Sequence, residues 1–330
     1  MRPEILEQPL MEFPAELFVE KTCETLRVEI ERQGFRGVVL GVSGGIDSLV
    51  SAALCLRACR KPGNLRVVGL QMNDSRLRKE SYNTEMYDEL GVDLVHQDIT
   101  QEAIDQEIRH RMPPRWLTQG FMQIALRWIR TKTRRRLILA IKSERAPDWV
   151  LSHLHRLTLL HRVRITRLRE YAHGHGLMTI ICANRTEREL GYFVQDGIDD
   201  SRMGDYAPIS ELYKGQVIGV AQFLRLPDKV IRQKPSPGFG GIFDEEILGP
   251  YELLDLVLIG MELGYPGDAI SQAIRTYAGR RVRQKTRIWR SNLDSHYVTF
   301  VKKLVELNSR KRHLQETRAN RLPLFLEMGS

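Results

Sequence analysis

The chain has 330 residues, of which 42% are hydrophobic and 28% charged, and this composition argues against a disordered or a fibrous protein. A chain of this length can form one large domain or two small ones, with a sizeable core. Lys and Arg outnumber Asp and Glu by 50 to 41. The excess favours polyanionic partners, and charge alone does not choose among nucleotides, nucleic acid and membrane surfaces.

Cysteine usage and the N-terminal segment indicate the compartment. The four cysteines show no CxxC spacing and are too sparse for a disulfide scaffold, which predicts free thiols in a reducing cytoplasm. Residues 1–13 lack the basic and apolar regions of a signal peptide. The longest apolar stretch contains Asp47 and a glycine pair, which excludes it as a membrane span. We therefore expect a cytoplasmic protein without a membrane segment.

The first third of the chain alternates helical and strand patterns. An amphipathic pattern predicts a helix over 15–33 that ends at Gly34. Further elements are expected in this order: a strand at 38–42, a helix at 46–59, a strand at 65–72, a helix at 78–91, a strand at 92–99, and a helix N-capped by Thr100 that runs to His110. Each strand is a near-continuous apolar run. This pattern predicts an α/β fold with a doubly wound parallel sheet covered on both faces.

The middle of the chain is strongly basic. Four large side chains recur there at helical spacing, namely Leu117, Phe121, Ile124 and Trp128. We predict a basic helical insert at 111–156 whose apolar stripe packs on the body while its basic face is solvated; a nucleic-acid surface and a membrane-surface helix are the alternatives. A strand at 177–183 and a helix near Asn184 then resume the α/β pattern, and a helical C-terminal region follows, with a Pro- and Gly-rich loop at 233–246.

The stretch "VVLGVSGGIDSLVSAAL" (38–54) passes from a strand through two glycines into a helix. Gly44 and Gly45 let backbone N–H groups approach phosphate oxygens, and Ser43 and Ser48 can donate further hydrogen bonds. Asp47 would repel a bare phosphate, so we expect it to hold a divalent cation that bridges phosphates. The spacing matches neither the dinucleotide fingerprint nor the Walker P-loop. A turn that simply needs small residues is the structural alternative.

Three segments together resemble one enzyme family. "SGGIDS" resembles the signature of the N-type ATP pyrophosphatases, and "ANRTERELGYF" (183–193) and "DYAPISELYKGQV" (205–217) resemble two segments of the ammonia-dependent NAD synthetases. "KPSPG", "DEEILG" and "SRKRH" follow in the family's order. The resemblance covers roughly 15–110 and 156–313 and leaves the insert unexplained. It implies a Rossmann-like fold of the ATP pyrophosphatase type, a single domain over 1–330 and a homodimer.

This resemblance also implies a reaction and a set of site residues. The reaction is the ATP-dependent amidation of a carboxylate by ammonia through an acyl-adenylate, with nicotinate adenine dinucleotide as the expected substrate, NAD, AMP and pyrophosphate as products, and Mg²⁺ as cofactor. The implied roles are pyrophosphate binding by Ser43, Gly44, Gly45, Asp47 and Ser48; magnesium binding by Asp47 and Glu187; catalysis by Asp47 and Lys214; further ATP contacts from Cys182, Lys214 and Ser236; and substrate contacts from Arg162, Arg164, Asp205 and Asp244.

Departures from the family pattern keep alternatives open. Ile181 and Cys182 stand where the family has Gly-Thr, the stretch 194–205 is longer and more acidic, and the Pro-x-Arg pattern after the second strand is missing. The alternatives are a different carboxylate substrate, a tRNA-modifying pyrophosphatase, and a nucleotide- or RNA-binding protein without turnover. Considered without the matching segments, Glu187 and Lys214 would be interpreted as solvated surface charges.

The nitrogen donor can be predicted from the start of the chain. Glutamine-dependent relatives carry a glutaminase domain ahead of the synthetase, and only a short helix precedes the first strand here. We therefore expect free ammonia, or ammonia from a separate glutaminase subunit.

Overall fold

A four-stranded parallel sheet lies at the centre of the structure. The structure, a computed structural model, describes residues 4–60, 65–77, 85–112, 131–233, 244–280 and 295–319. The strands are β1 (Gly37–Gly41), β2 (Arg66–Asn73), β3 (Asp93–Asp98) and β4 (Met178–Ile180). Their order in the sheet is β3-β2-β1-β4, and each pair is parallel. The predicted α/β fold with a parallel sheet is confirmed.

Helices surround this sheet and continue beyond it. Those before β4 are α1 (Glu4–Met11), α2 (Ala15–Gln33), α3 (Ile46–Cys59), α4 (Glu85–Leu90), α5 (Thr100–Arg109), α6 (Thr131–Lys142) and α7 (Asp148–His175). Those after β4 are α8 (Arg185–Leu190), α9 (Lys214–Phe223), α10 (Asp228–Ile231), α11 (Asp244–Leu248), α12 (Tyr251–Glu262), α13 (Gly267–Arg280) and α14 (Ser295–Ala319). Within the described ranges, no helix is long and apolar enough to cross a membrane.

The central strand shows why both faces of the sheet are covered. Val38, Val39 and Leu40 are all fully buried. Because successive side chains of a strand point to opposite faces, Val38 and Leu40 pack in one core while Val39 packs in another. The first core lies between the sheet and α2, α3 and α9, and the second lies between the sheet and α5 and α7.

A third core is entirely helical. It is formed mainly by α12, α13 and α14, and α1 and α6 add Leu6 and Ile138 to it. Arg135 of α6 is also buried there, with its guanidinium 5.2 Å from the centre of the Tyr297 ring. Within the described part of the insert, α6 therefore packs on the C-terminal helices. The predicted stripe from Leu117 to Trp128 lies outside the described residues.

The helices predicted at 15–33 and 46–59 have these limits in the structure, and the strands predicted at 38–42, 65–72 and 92–99 are each displaced by one residue at both ends. Two further elements differ for physical reasons. The helix predicted from an N-cap at Thr100 has Ile99 as its N-cap, because the Thr100 hydroxyl accepts the Ser75 N–H at 2.8 Å instead of an N–H of the helix. That helix also ends at Arg109 rather than His110. The strand predicted at 177–183 covers only Met178–Ile180, because the next N–H, that of Ile181, donates to the Tyr206 carbonyl instead of continuing the ladder. The first part of the helix predicted at 78–91 lies outside the described residues.

The strand order determines where a ligand can bind. The chain leaves β1 toward β2 and β3 on one side, and later returns to place β4 on the other side of β1. In open parallel sheets this reversal leaves a crevice at the carboxyl ends of the strands on either side of it, here β1 and β4, where ligands bind. The segments that follow β1 and β4 are 42–48 and 181–190, and both contain predicted site residues.

The start of β1 offers a test of how tightly β1 and β2 are joined. Gly37 has a φ of +146°, and a Cβ placed on it would lie 2.1 Å from the Arg66 carbonyl oxygen. Gly37→Ala should therefore lower the free energy of unfolding by about 3 kcal/mol or more, since backbone atoms must move. Urea unfolding measures the change. Gly219→Ala is the matched control, because nothing lies within 4 Å of a Cβ at this position inside α9, and it should be neutral or slightly stabilising. Equal stability of the two variants would contradict this account.

Candidate active site

The 43–48 loop joins β1 to α3 at the crevice. Gly44 has a φ of +74°, in the left-handed region that glycine adopts without strain, and Gly45 is the N-cap of α3. Ser43 is exposed, whereas Gly44 and Ser48 are buried beneath the loop. The loop therefore presents Ser43, Gly45 and the first turn of α3 to the crevice, at a helix end that favours anions.

The two buried residues of this loop contact Tyr87 of α4. The Gly44 N–H donates to the Tyr87 hydroxyl at 3.2 Å, and the Ser48 hydroxyl lies 2.8 Å from the same oxygen. The Ser43 and Ser48 hydroxyls are 3.0 Å apart. Among the predicted phosphate-binding residues, Ser43 is thus exposed, whereas Gly44 and Ser48 are buried and form hydrogen bonds with Tyr87.

Asp47 meets two residues that are far from it in the sequence. Its Oδ1 accepts a hydrogen bond from the Asn184 amide at 3.1 Å, and its Oδ2 forms an ion pair with the Lys214 ammonium. The Lys214 Nζ also lies 3.8 Å from Glu187 Oε1. Lys214 is only 3% exposed, so it is a buried charge and not a solvated one. The structure therefore brings three predicted site residues together.

Asn184 connects the two carboxylates of this group. It is the N-cap of α8, where its side-chain oxygen accepts the Glu187 N–H at 3.0 Å. Its amide nitrogen donates to Asp47 at the same time. One side chain thus places Glu187 on the first turn of α8 and orients Asp47 at the start of α3.

A third carboxylate, Asp244 of α11, completes what we call the carboxylate–lysine cluster (Asp47, Glu187, Lys214 and Asp244). Asp244 is 5% exposed and accepts a hydrogen bond from the Tyr192 hydroxyl at 2.9 Å. The Tyr251 hydroxyl lies 3.0 Å from Asp244 Oδ2 and 3.3 Å from Glu187 Oε1, and the Lys214 Nζ lies 5.1 Å from the centre of the Tyr251 ring. The helical core therefore supplies one side of the cluster.

The cluster contains three carboxylates and one ammonium, so its charges do not balance. Burial raises the pKa of Glu187 to about 8; Lys214 opposes this shift, and Asp47 and Asp244 add to it. Burial alone would lower the pKa of Lys214, but the charges of Asp47 and Glu187 raise it above its ordinary value. Burial also raises the pKa of Asp244. Lys214 is therefore charged at neutral pH, and a cation bound beside Glu187 would favour the ionised form of that carboxyl.

The donor set fits Mg²⁺ bound together with phosphates. Among the described residues, no group of three or more His, Cys, Asp or Glu side chains is arranged to hold a metal ion by itself. Magnesium is commonly bound by one or two carboxylates, with substrate phosphates and waters supplying the other ligands. The Asp47 and Glu187 side chains are each 19% exposed and share Lys214, which matches a site that a ligand completes.

The backbone around Lys214 is fixed by two side chains without an obvious sequence signal. The Thr186 hydroxyl accepts the Lys214 N–H at 2.9 Å and donates to Asp255 Oδ1 at 2.5 Å. The other Asp255 oxygen accepts the Gly215 N–H at 2.8 Å. Burial raises the pKa of Asp255 to about 6, although these hydrogen bonds oppose the shift. Asp255 of α12 thus holds the start of α9 against α8.

The C-terminal end of α8 is held in a similar way. Asn308 of α14 donates to the Arg188 carbonyl at 2.7 Å and to the Glu189 carbonyl at 3.1 Å. Lys142 of α6 donates to the carbonyl of Gly191, the C-cap residue. A helix of six residues is too short to be stable alone, so these contacts and Asn184 keep Glu187 in place.

The remaining predicted site residues have other partners. Arg162 is exposed and lies 3.4 Å from Asp196, and Asp205 accepts the Thr179 N–H at 2.7 Å, next to β4. Arg164 lies on α7 and is partly exposed. The structure does not join these three residues to the carboxylate–lysine cluster. Ser236 lies outside the described residues.

Cys182 lies near Asp47, but its thiol is not reactive. Burial raises its pKa to about 12, and the nearby charge of Asp47 adds to the shift. The thiol is therefore neutral at physiological pH and lacks the thiolate that a nucleophile needs.

A substitution at Thr186 tests how α8 and α9 are joined. Thr186→Val keeps the side-chain shape and removes the hydroxyl, which leaves the Lys214 N–H and one oxygen of the buried Asp255 without this partner. We expect the free energy of unfolding to fall by about 1–3 kcal/mol. Thr186→Ser is the matched control, since it retains the hydroxyl. Urea unfolding of both variants measures the difference, and a valine variant as stable as the serine variant would refute the role of the hydroxyl.

Comparison with known proteins identifies the family. The family model for NAD synthase matches residues 18–144 and 138–314, which together include the whole predicted insert. The NH(3)-dependent NAD(+) synthetase of Thermotoga neapolitana is 30% identical over 250 residues, which is 74% of this chain and 83% of that protein. The synthetase of the same name from Thermotoga maritima is also 30% identical over 250 residues, with 74% and 86% covered.

Solved structures agree on the fold. The NH3-dependent NAD synthetase of Campylobacter jejuni aligns over 96% of this chain and 100% of its own, with a TM-score of 0.59 and 18% sequence identity. At that identity the likeness supports the fold alone. The matched ranges, the identity to the Thermotoga proteins and the shared fold lead to one conclusion: the chain belongs to the NAD synthase family.

Proposed function

We propose that this protein makes NAD by amidating nicotinate adenine dinucleotide with ammonia at the expense of ATP. The observation that carries the proposal is the buried contact between Lys214 and Asp47 beside the 43–48 loop, where β1 and β4 end. The names of the Thermotoga relatives support the choice of ammonia and of NAD. As in any such amidation, the carboxylate needs activation because oxide is a poor leaving group.

The proposed reaction has two steps. In the first, an oxygen of the substrate carboxylate attacks the α-phosphorus of ATP, a P–O bond forms, and pyrophosphate leaves with the electrons of the broken P–O bond. In the second, the ammonia nitrogen attacks the carbonyl carbon of the acyl-adenylate, AMP leaves, and the nitrogen loses a proton. The 43–48 loop binds the departing pyrophosphate through the Ser43 hydroxyl and the N-terminus of α3.

Lys214 stabilises the charge that develops in the first step. Its pKa is raised by Asp47 and Glu187, once the opposing effect of burial is overcome, so the side chain stays an ammonium at neutral pH. Because Lys214 is buried and its backbone is held by Thr186 and Asp255, little reorganisation is needed when charge accumulates on the phosphates.

Magnesium belongs to this proposal as well. Asp47 and Glu187 would hold the ion, which when bound neutralises phosphate charge and favours pyrophosphate as a leaving group. An ion with a double positive charge also offsets the excess of carboxylates in the cluster. Asp244 would not bind the ion, because it accepts hydrogen bonds from Tyr192 and Tyr251.

The remaining partners follow from the same proposal. We place the protein in the cytoplasm as a homodimer that takes up free ammonia or ammonia from a separate glutaminase.

Two observations argue against the alternative functions. In the acidic stretch after α8, Asp199 lies 3.1 Å from His161, and the Asp200 carboxylate accepts a hydrogen bond from Arg202. Because these carboxylates already have partners within the protein, the acidic stretch is weaker support for a different carboxylate substrate. The packing of α6 on the helical core likewise reduces the case for a tRNA surface.

The proposal is tested by incubating the protein with ATP, Mg²⁺, ammonium and nicotinate adenine dinucleotide. We expect NAD, AMP and pyrophosphate in equal amounts, measured by chromatography. Release of AMP only with another carboxylic acid would replace the substrate. Absence of ATP cleavage with every acid offered, together with salt-dependent tRNA binding, would instead support a binding protein.

A charge-removing substitution tests the cluster. Asp47→Asn keeps the shape of the side chain but removes both the ion-pair partner of Lys214 and the proposed magnesium ligand. We expect kcat/KM for ATP to fall by about 100-fold or more. Asp93→Asn is the matched control, because Asp93 forms an exposed ion pair with Arg66 at 3.3 Å on β2 and should leave activity unchanged. An active Asp47→Asn enzyme at low Mg²⁺ would rule out the assignment.

A further inference from the structure

The underside of the 43–48 loop rests on a side chain that no sequence motif singled out. Tyr87 of α4 is fully buried in the core shared by β1, α2 and α3. Its ring packs among apolar side chains, and its hydroxyl is the one polar atom that the side chain carries. A buried hydroxyl is costly without partners, and both partners of this one belong to the loop: the Gly44 N–H and the Ser48 hydroxyl.

The direction of the first of these hydrogen bonds is fixed by its chemistry, whereas either hydroxyl can donate in the second. The Gly44 N–H can only donate, so the Tyr87 oxygen accepts it, and the Tyr87 proton is then available for Ser48 Oγ at 2.8 Å. The Ser48 proton can in turn reach the Gly45 carbonyl or Ser43 Oγ, each at 3.0 Å. A continuous chain of hydrogen bonds thus runs from the buried tyrosine to the exposed side of the loop.

This chain determines which groups of the loop face the crevice. The peptide N–H of Gly44, at a φ of +74°, points inward to Tyr87 and is not available to a ligand above the loop. The Ser43 hydroxyl accepts the Gly45 N–H at 3.3 Å on the exposed side. A loop whose inward groups are already satisfied enters binding in a fixed shape, and less conformational entropy is lost when phosphate arrives.

We propose that Tyr87 is a positioning residue for ATP: its hydroxyl holds the Ser43–Gly44 peptide and Ser48 in the conformation in which the loop binds the pyrophosphate portion. The inference rests on the proposed function of the loop and deepens it. Tyr87 acts through the loop and does not touch the nucleotide. Ser48 then serves as a link in the hydrogen-bond chain, and Ser43 is the serine that meets phosphate.

The experiment compares Tyr87→Phe with the parent enzyme. The substitution keeps the ring and removes the hydroxyl, so the loop loses its anchor while the core stays filled. We expect the KM for ATP and the Kd of a non-hydrolysable ATP analogue, measured by calorimetry with Mg²⁺, to rise about tenfold. The KM for the carboxylate substrate should change less than twofold. A tyrosine that only supports the fold would lower the melting temperature without this selective change.

Tyr297→Phe provides the matched control, because Tyr297 is equally buried and lies in the helical core rather than beneath the loop. It should keep the parent values for ATP. A Tyr87→Phe enzyme with unchanged or tighter ATP binding would overturn the inference. Failure of the parent enzyme to cleave ATP would instead refute the proposed function, so the two failures are distinguishable.

A double variant tests the hydrogen-bond chain itself. If Ser48 works through Tyr87, Ser48→Ala should add little to the loss of ATP affinity in the Tyr87→Phe background, less than twofold. Losses that multiply in full would show that Ser48 contributes independently, and would overturn the part of the inference that assigns Ser48 to the chain.

Discussion

The burial of the Lys214 ammonium is the interaction on which the site depends. A buried positive charge is strongly unfavourable unless carboxylates pair with it and hydrogen bonds satisfy the surroundings. Asp47 and Glu187 supply those charges from two different helices, and Thr186 and Asp255 hold the backbone at Lys214. The starts of α3, α8 and α9 therefore meet at one point. A site built in this way has its charges in position before substrate arrives.

Topology brings these residues together. Asp47 and Asn184 are 137 residues apart, yet β1 and β4 are hydrogen-bonded neighbours, so the segments that follow them share one sheet edge. All of β2, β3 and the basic insert lie between them in the chain. The helical core closes the site from the opposite side, because Asp244 and Tyr251 reach it from α11 and α12. The excess of carboxylates in the cluster arises where the two cores meet.

The sequence predicted local structure better than it predicted long-range contacts. The limits of α2 and α3 follow from periodicity and glycines, and they match the structure closely. The residues of the 43–48 loop predicted a phosphate site, but only resemblance to a family linked Glu187 and Lys214 to it. Tyr87 and Asp255 carried no signal, because a buried tyrosine and a carboxylate in an apolar helix have no periodic or motif pattern that reveals a partner. Arg162 lies 3.4 Å from Asp196 at the surface, and the substrate contact that its motif match implied stays a prediction.

The basic insert contributes to the position of α8 through contacts of its basic side chains. We predicted that its basic face is solvated, yet three of its basic side chains contact other parts of the protein. Arg135 lies over Tyr297, Arg156 lies 3.3 Å from Glu107, and Lys142 donates to the C-cap carbonyl of α8. The last contact matters most, because α8 has six residues and carries Glu187. A helix that short takes its position from what holds its ends, so the insert helps to fix a proposed magnesium ligand even though it lies outside the 43–48 loop.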